Sequence, residues 1–226
     1  MQLFSPPQLS ISEITGHLPH WCSYQIPYAK AERTVISEGT IISQYHSHVL
    51  FFIEMMEINL HKALEASYHV SEPSLFLFMM LDGTIQFFTS GGQPIKSASA
   101  AICYATYNKT GSYVYRLSPG IHRLCYLCPM PRWMDRNSRR YPRLKPFLAE
   151  MAESELLFGH LPACSLDEHM QSSLLRLLTR EDSPEADLES TLSRDAKEVI
   201  DAYQALLEIK YEQRAYRLKA YLDENY

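Results

Sequence analysis

Two histidines one residue apart, His46 and His48, with Glu54 downstream, are the residues whose types and spacing first suggest chemistry. Side chains two apart on an extended strand share a face, as a pair of imidazoles on one metal ion requires. Val49-Leu50-Phe51-Phe52-Ile53 separates the pair from Glu54 and contains no turn residue. On one continuous strand Glu54 then lies roughly 20 Å from His48, and the three do not close on one ion. Further along, Arg116 and the His122 of Pro119-Gly120-Ile121-His122 add a guanidinium and an imidazole. The chain has no Gly-x-Ser-x-Gly nucleophile setting and no glycine-rich phosphate loop. A non-enzymatic protein without metal or cofactor is expected. His46, His48, Arg116 and His122 are its candidate groups for orienting an anionic or polar ligand through charge-assisted hydrogen bonds.

The elements that must position these groups divide the chain in two. From Thr34 to about Trp133, short β-favouring runs recur between Glu-Gly, Asp-Gly, Gly-Gly, Thr-Gly and Pro-Gly, a rhythm that predicts an antiparallel sandwich or barrel. Its most apolar piece is LFLFMMLDGTIQFF, residues 75–88. Seven apolar residues before Asp82-Gly83 are far short of the roughly 20 that cross a bilayer, so no membrane span is expected. Asp-Gly between two such runs predicts a two-residue hairpin. Phe76, Phe78 and Met80 would face the barrel interior, and Leu75, Leu77, Met79 and Leu81 a second layer.

Beyond Arg132 the pattern is helical, and the last glycine is Gly159. A first helix is expected over 141–154 and a second after a cap at Ser165, with Asp167 and Glu168 in its first turn. A third starts near Pro184 with apolar residues at Leu188, Leu192, Ala196, Val199, Tyr203, Leu206, Tyr211, Ala215 and Leu218. These spacings of three and four make one continuous stripe. The expected organisation is an irregular arm over 1–33, a β-barrel over 34–133 and a helical region over 134–226.

Composition narrows the setting. With 46% hydrophobic residues, 21% charged and a net charge of −5, the whole surface gives no reason to meet DNA or an anionic membrane. Cys22, Cys103, Cys125, Cys128 and Cys164 are odd in number and scattered, and the N-terminus has no secretory pattern, so a reducing cytoplasm is expected. Cys125-Tyr-Leu-Cys128 lies in a strand-like run, where residues three apart point to opposite faces and do not form a metal pair. Arg132–Lys145 carries six basic residues and one Asp, a run that suits a solvated linker or contact with nucleic acid or an anionic effector. From Glu181 to Tyr226 there are 6 Lys or Arg against 12 Asp or Glu, net −6, and such a segment would be repelled by phosphates.

Taken together, Leu75–Phe88, the strand end Cys128–Met134 with its Pro-x-Pro-Arg-Trp-Met, and Ser193–Gln213 resemble the regulatory half of AraC-type transcription regulators. The siderophore-responsive, pyochelin-regulator branch is the most similar. The resemblance implies an α+β fold, a cupin-like antiparallel β-barrel or sandwich followed by a C-terminal helical segment with a long amphipathic helix. It also implies an effector, siderophore or metabolite, acting on a homodimer joined through Leu192, Ala196, Val199, Tyr203 and Leu206. DNA would be reached only through a helix-turn-helix domain, which is not among these residues. Whether the chain is a regulatory half or a protein acting without a DNA reader stays open. Two alternatives stand beside this reading. His46-x-His48 and Glu54 also resemble the metal motif of cupin enzymes, which would make a small metal-dependent enzyme using His46, His48 and His122. A barrel filled by its own Phe residues would instead be a ligand-free interaction module.

Overall fold

Large apolar side chains occupy both faces of the runs Phe51–Leu60, Ser74–Asp82 and Gly120–Pro129, which demands a layer on each side. The computed structural model describes residues 11–181 and 185–225. Its strands are β1 (Ile11–Ile14), β2 (Lys30–Ile36), β3 (Gly39–Ser47), β4 (Phe51–Leu60), β5 (Leu64–Val70), β6 (Ser74–Asp82), β7 (Thr84–Thr89), β8 (Pro94–Ser99), β9 (Ile102–Asn108), β10 (Gly111–Leu117), β11 (Gly120–Pro129), β12 (Phe158–His160) and β13 (Cys164–Ser165). The helices are α1 (Pro131–Asn137), α2 (Leu144–Glu153), α3 (Glu168–Leu178) and α4 (Glu185–Asn225).

The strands form two antiparallel sheets. The larger runs β1-β2-β3-β4-β11-β6-β9-β12, with β13 also on β9, and the smaller runs β5-β10-β7-β8. Between the sheets lies an aromatic-rich core that includes Phe52, Phe76, Phe78, Met80, Tyr104, Tyr126, Tyr68, Phe87 and Tyr115. The other face of the large sheet presents Phe51, Ile53, Met55, Leu75, Leu77, Met79 and Leu127 to the helices. The fold is thus the expected α+β barrel-like sandwich with a C-terminal helical layer. Residues 75–80 are buried on both faces with the expected alternation.

The hairpin expected at Asp82-Gly83 is not one. β6 pairs with β11 and β9 in the large sheet, whereas β7 pairs with β10 and β8 in the small one. Asp82-Gly83 is the corner at which the chain passes between sheets. The local demand is the same, a positive φ of 79° that glycine meets without strain. Which strands pair afterwards is a long-range matter that the dipeptide does not encode. The corner is braced by Asp82, whose Oδ1 accepts the Gly83 N–H at 2.8 Å and whose Oδ2 meets Arg123 at 2.6 Å.

Other boundaries also shift. HVLFFIEMMEINL is broken by a turn over His48–Leu50, so β3 and β4 form a hairpin in which Tyr45 lies opposite Glu54. β1 and the start of β2 fall within the region expected to be an irregular arm, and β12 and β13 return from beyond residue 133 to pair with β9. α1 was not expected, and α2 is shorter than the 141–154 span. α3 is capped by Asp167, whose Oδ1 accepts the Met170 N–H at 2.8 Å, while Ser165 belongs to β13. Pro184 lies outside the described residues, which resume with α4.

Candidate functional site

The histidine pair sits on the helix-facing side of the β3–β4 hairpin. His48 is buried, with Nε2 2.8 Å from Glu189 Oε2 and 3.0 Å from the Glu189 carbonyl, while Nδ1 accepts the Leu50 N–H at 3.0 Å. Its ring stacks on Phe51 at 4.5 Å. His46 lies edge-on to Tyr28 at 5.1 Å, with Nε2 4.0 Å from Glu189 Oε1. Burial lowers the His46 pKa and Glu189 pulls it back up only in part, so the ring is neutral near pH 7. His48 thus ties the first turns of α4 to the hairpin.

Glu54 points the other way, into the space between the sheets, where it accepts hydrogen bonds from Ser43 Oγ and the Tyr126 hydroxyl. The hairpin turn removes the 20 Å separation expected on a continuous strand, and the opposite faces now keep Glu54 from the two imidazoles. Among the described residues no group of three His, Cys, Asp or Glu is placed to hold one metal ion. Burial pushes the Glu54 carboxyl up to about 7, against the pull of its two hydroxyl donors. Sequence reasoning weighed Glu54 only as a ligand. The available signal was a lone carboxyl at an inward position of a ten-residue apolar strand.

The other two candidates do not face a ligand space. His122 is buried, with Nδ1 accepting the Thr84 N–H at 3.2 Å and Nε2 donating to the Ser118 carbonyl at 2.7 Å. Both nitrogens are satisfied, and the ring is a brace for the Asp82-Gly83 corner. Arg116 is on the outer face of the small sheet, paired with Glu65 at 2.5 Å and lying over Phe88 at 4.4 Å. The four candidates therefore form no common site.

The space between the sheets is nearly full. A cavity of about 40 Å³ remains, walled by aromatic rings such as Phe76, Phe87 and Tyr126, with Asn108 donating to the Tyr68 hydroxyl at 2.8 Å. The Lys96 ammonium stands 5.5 Å from the Tyr104 ring at its edge. An engineered cavity of about 150 Å³ binds benzene, and this one is several-fold smaller. The five cysteines are free, and Cys125 faces the helices while Cys128 faces the other core, as strand alternation requires.

A second polar cluster holds the arm. Buried Glu57 meets Arg123 at 2.9 Å and accepts the Ser23 and Tyr24 N–H groups at 2.8 and 3.0 Å. Gln44 adds a bond from the Ile26 N–H at 2.9 Å, and the Tyr28 hydroxyl donates to the Leu177 carbonyl at 2.7 Å. The segment 21–28 is thereby strapped between the large sheet and α3.

The stripe on α4 finds its partner inside the chain. Leu192, Ala196, Val199 and Tyr203 are all at most 2% exposed, packed on the large sheet, and Leu206 is half-buried against the same core. The Tyr203 hydroxyl accepts the Ala105 N–H at 2.7 Å, and Arg180, Arg140 and Arg143 pair with Asp195, Asp201 and Glu208. This corrects the expectation that these residues face a second copy: they are the chain's own core. After Tyr211 the helix leaves that surface. Tyr216, Leu218, Tyr221 and Leu222 are 76, 60, 59 and 46% exposed.

No family model and no curated protein matches the chain. Among solved structures, the EutQ protein of Clostridium difficile is 17% identical and covers 42% of this chain and 71% of its own, with a TM-score of 0.31. A cupin superfamily protein from Desulfitobacterium hafniense is 9% identical, covering 42% and 83%, with a TM-score of 0.31. An HTH_3 family transcriptional regulator from Vibrio cholerae is 11% identical, covering 41% and 52%, with a TM-score of 0.33. No function passes to this chain from likenesses of this strength. No helix among the described residues is long and apolar enough to cross a membrane.

Proposed function

We propose that the chain is a non-enzymatic regulatory module of the AraC type, in which a filled cupin-like barrel is the scaffold and the projecting end of α4 joins two copies. The observation that carries this reading is that the apolar stripe of α4 outlasts the surface that covers it. Its buried part, 188-192-196-199-203-207, continues at the same spacing through Tyr211, Ala215, Leu218 and Leu222. The free end, Glu212–Asn225, is roughly 20 Å long.

The register favours an antiparallel pair. Taking Ala215 and Leu222 as a positions and Tyr211 and Leu218 as d positions, the layers are Tyr211 on Leu222 and Ala215 on Leu218 of the second copy. The sequence then sets Arg214 near Tyr221 across the seam, a cation–aromatic pair that the two-fold symmetry repeats on the same flank. The small barrel cavity supports a module whose output is a protein contact and does not support a hollow effector sensor.

Sedimentation of the wild type against Leu218→Glu/Leu222→Glu tests the reading. Both side chains are exposed, so the variant keeps its fold and its circular dichroism. A dimer that becomes a monomer is the expected result; a wild type that is monomeric at about 100 μM, or a dimer indifferent to the substitutions, contradicts it.

A further inference from the structure

The basic run Arg132–Lys145 is only partly absorbed by the fold. Arg140 and Arg143 clamp α4 through Asp201 and Glu208. Arg132 and Arg136 have no carboxylate partner among the described residues, and both line an open groove of about 520 Å³. The groove runs between the β3–β4 turn and α1, which are tied together by the Met130 N–H donating to the Leu50 carbonyl at 2.8 Å. Its apolar walls are Val49, Leu50, Met130 and Trp133. Val49 is 74% exposed and Met130 41%, an unusual outlay of apolar surface at the tip of a turn.

Charge and shape narrow the occupant. The groove is lined by two cations and no acid, so its complement is anionic. It is open along one side, whereas a small molecule is held by burying some 70–90% of its surface, so an extended chain fits better than a metabolite. A nucleic acid would need several phosphate contacts, and the groove itself supplies two guanidiniums on a chain of net charge −5. Arg132 and Arg136 are one helical turn apart, roughly 6 Å, and alternate residues of an extended peptide are about 7 Å apart.

We infer that this groove docks an acidic segment of a partner protein, with two carboxylates in i, i+2 spacing on Arg132 and Arg136 and an apolar side chain seated among Val49, Met130 and Trp133. The inference is independent of how α4 pairs.

The test is fluorescence anisotropy on the full chain with a labelled nonapeptide containing Glu-Ser-Glu-Ser-Leu. Controls are the Gln-Ser-Gln-Ser-Leu and Glu-Ser-Glu-Ser-Ser peptides, a single-stranded oligonucleotide and phosphatidylserine vesicles. Arg132→Glu/Arg136→Glu and Val49→Ser alter exposed positions, and an unchanged melting temperature confirms their fold. The expected result is binding that falls about tenfold in the arginine variant and with the Gln peptide, and several-fold in Val49→Ser and with the Leu-to-Ser peptide. No binding of the acidic peptide at about 1 mM, equal binding by the arginine variant, or tighter binding of the oligonucleotide or the vesicles would overturn it.

Discussion

Gly83→Ala at the corner between the two sheets should cost a large part of the chain's stability. At φ +79° an L-residue is strained by about 1–2 kcal/mol. The added Cβ would lie 2.3 Å from His122 Nδ1 and 2.9 Å from the Ile121 carbonyl oxygen, so the imidazole must move. Moving it breaks the Thr84 N–H bond to Nδ1 and the Nε2 bond to the Ser118 carbonyl. Each is worth about 1 kcal/mol, and more where a buried group is left unpaired. The sum is about 3–5 kcal/mol, against a total of roughly 5–15 for an ordinary domain. Urea unfolding followed by circular dichroism measures it. In a His122→Ala background the collision with the imidazole is gone while the backbone strain and the 2.9 Å contact with the Ile121 carbonyl remain, so the same substitution should cost less by about 2 kcal/mol, the worth of the two His122 bonds. A loss below about 1 kcal/mol in the wild-type background, or the same loss in both, would refute the assignment of this corner.

Two further perturbations follow from the buried polar groups. Burial raises the Glu54 carboxyl from an ordinary 4.5 to about 7, so the folded chain holds a proton that the unfolded chain releases between these values. Stability is therefore undiminished below pH 4.5 and falls as pH rises through 7, by roughly 3 kcal/mol in all. Glu54→Gln should flatten that part of the stability profile measured by urea titration from pH 5 to 8, and an unchanged slope would show that Glu54 does not cause it. Tyr203→Phe strands the buried Ala105 N–H without its acceptor and should cost about 1–3 kcal/mol by the same assay, with faster amide exchange at Ala105. Exchange that is no faster would mean that the strand has another acceptor there.

Much of the frame was legible because it depends on local periodicity. Alternation placed Phe76, Phe78 and Met80 opposite Leu75, Leu77 and Met79, and a stripe of three and four spacings located α4. The candidate ligand groups were less legible. His48 and His122 are polar residues whose partners, Glu189 and Thr84 with Ser118, lie on other elements. Nothing in the few residues around them distinguishes a brace from a ligand group.

Residue types and their order determined by themselves that this chain is β-rich and then helical, that the run 75–80 is buried on both faces, that a glycine bends it after Asp82 and that a long amphipathic helix follows. Tertiary structure alone decided that Asp82-Gly83 joins two sheets, that His46 and His48 turn from Glu54, and that the stripe through Val199 covers the chain's own sheet while its continuation at Leu218 and Leu222 stays uncovered. The physical reason is the range of the interactions. Alternation and helical spacing act between residues a few positions apart, whereas pairing of β6 with β11, or of α4 with the large sheet, joins segments distant in sequence whose contact no local pattern specifies.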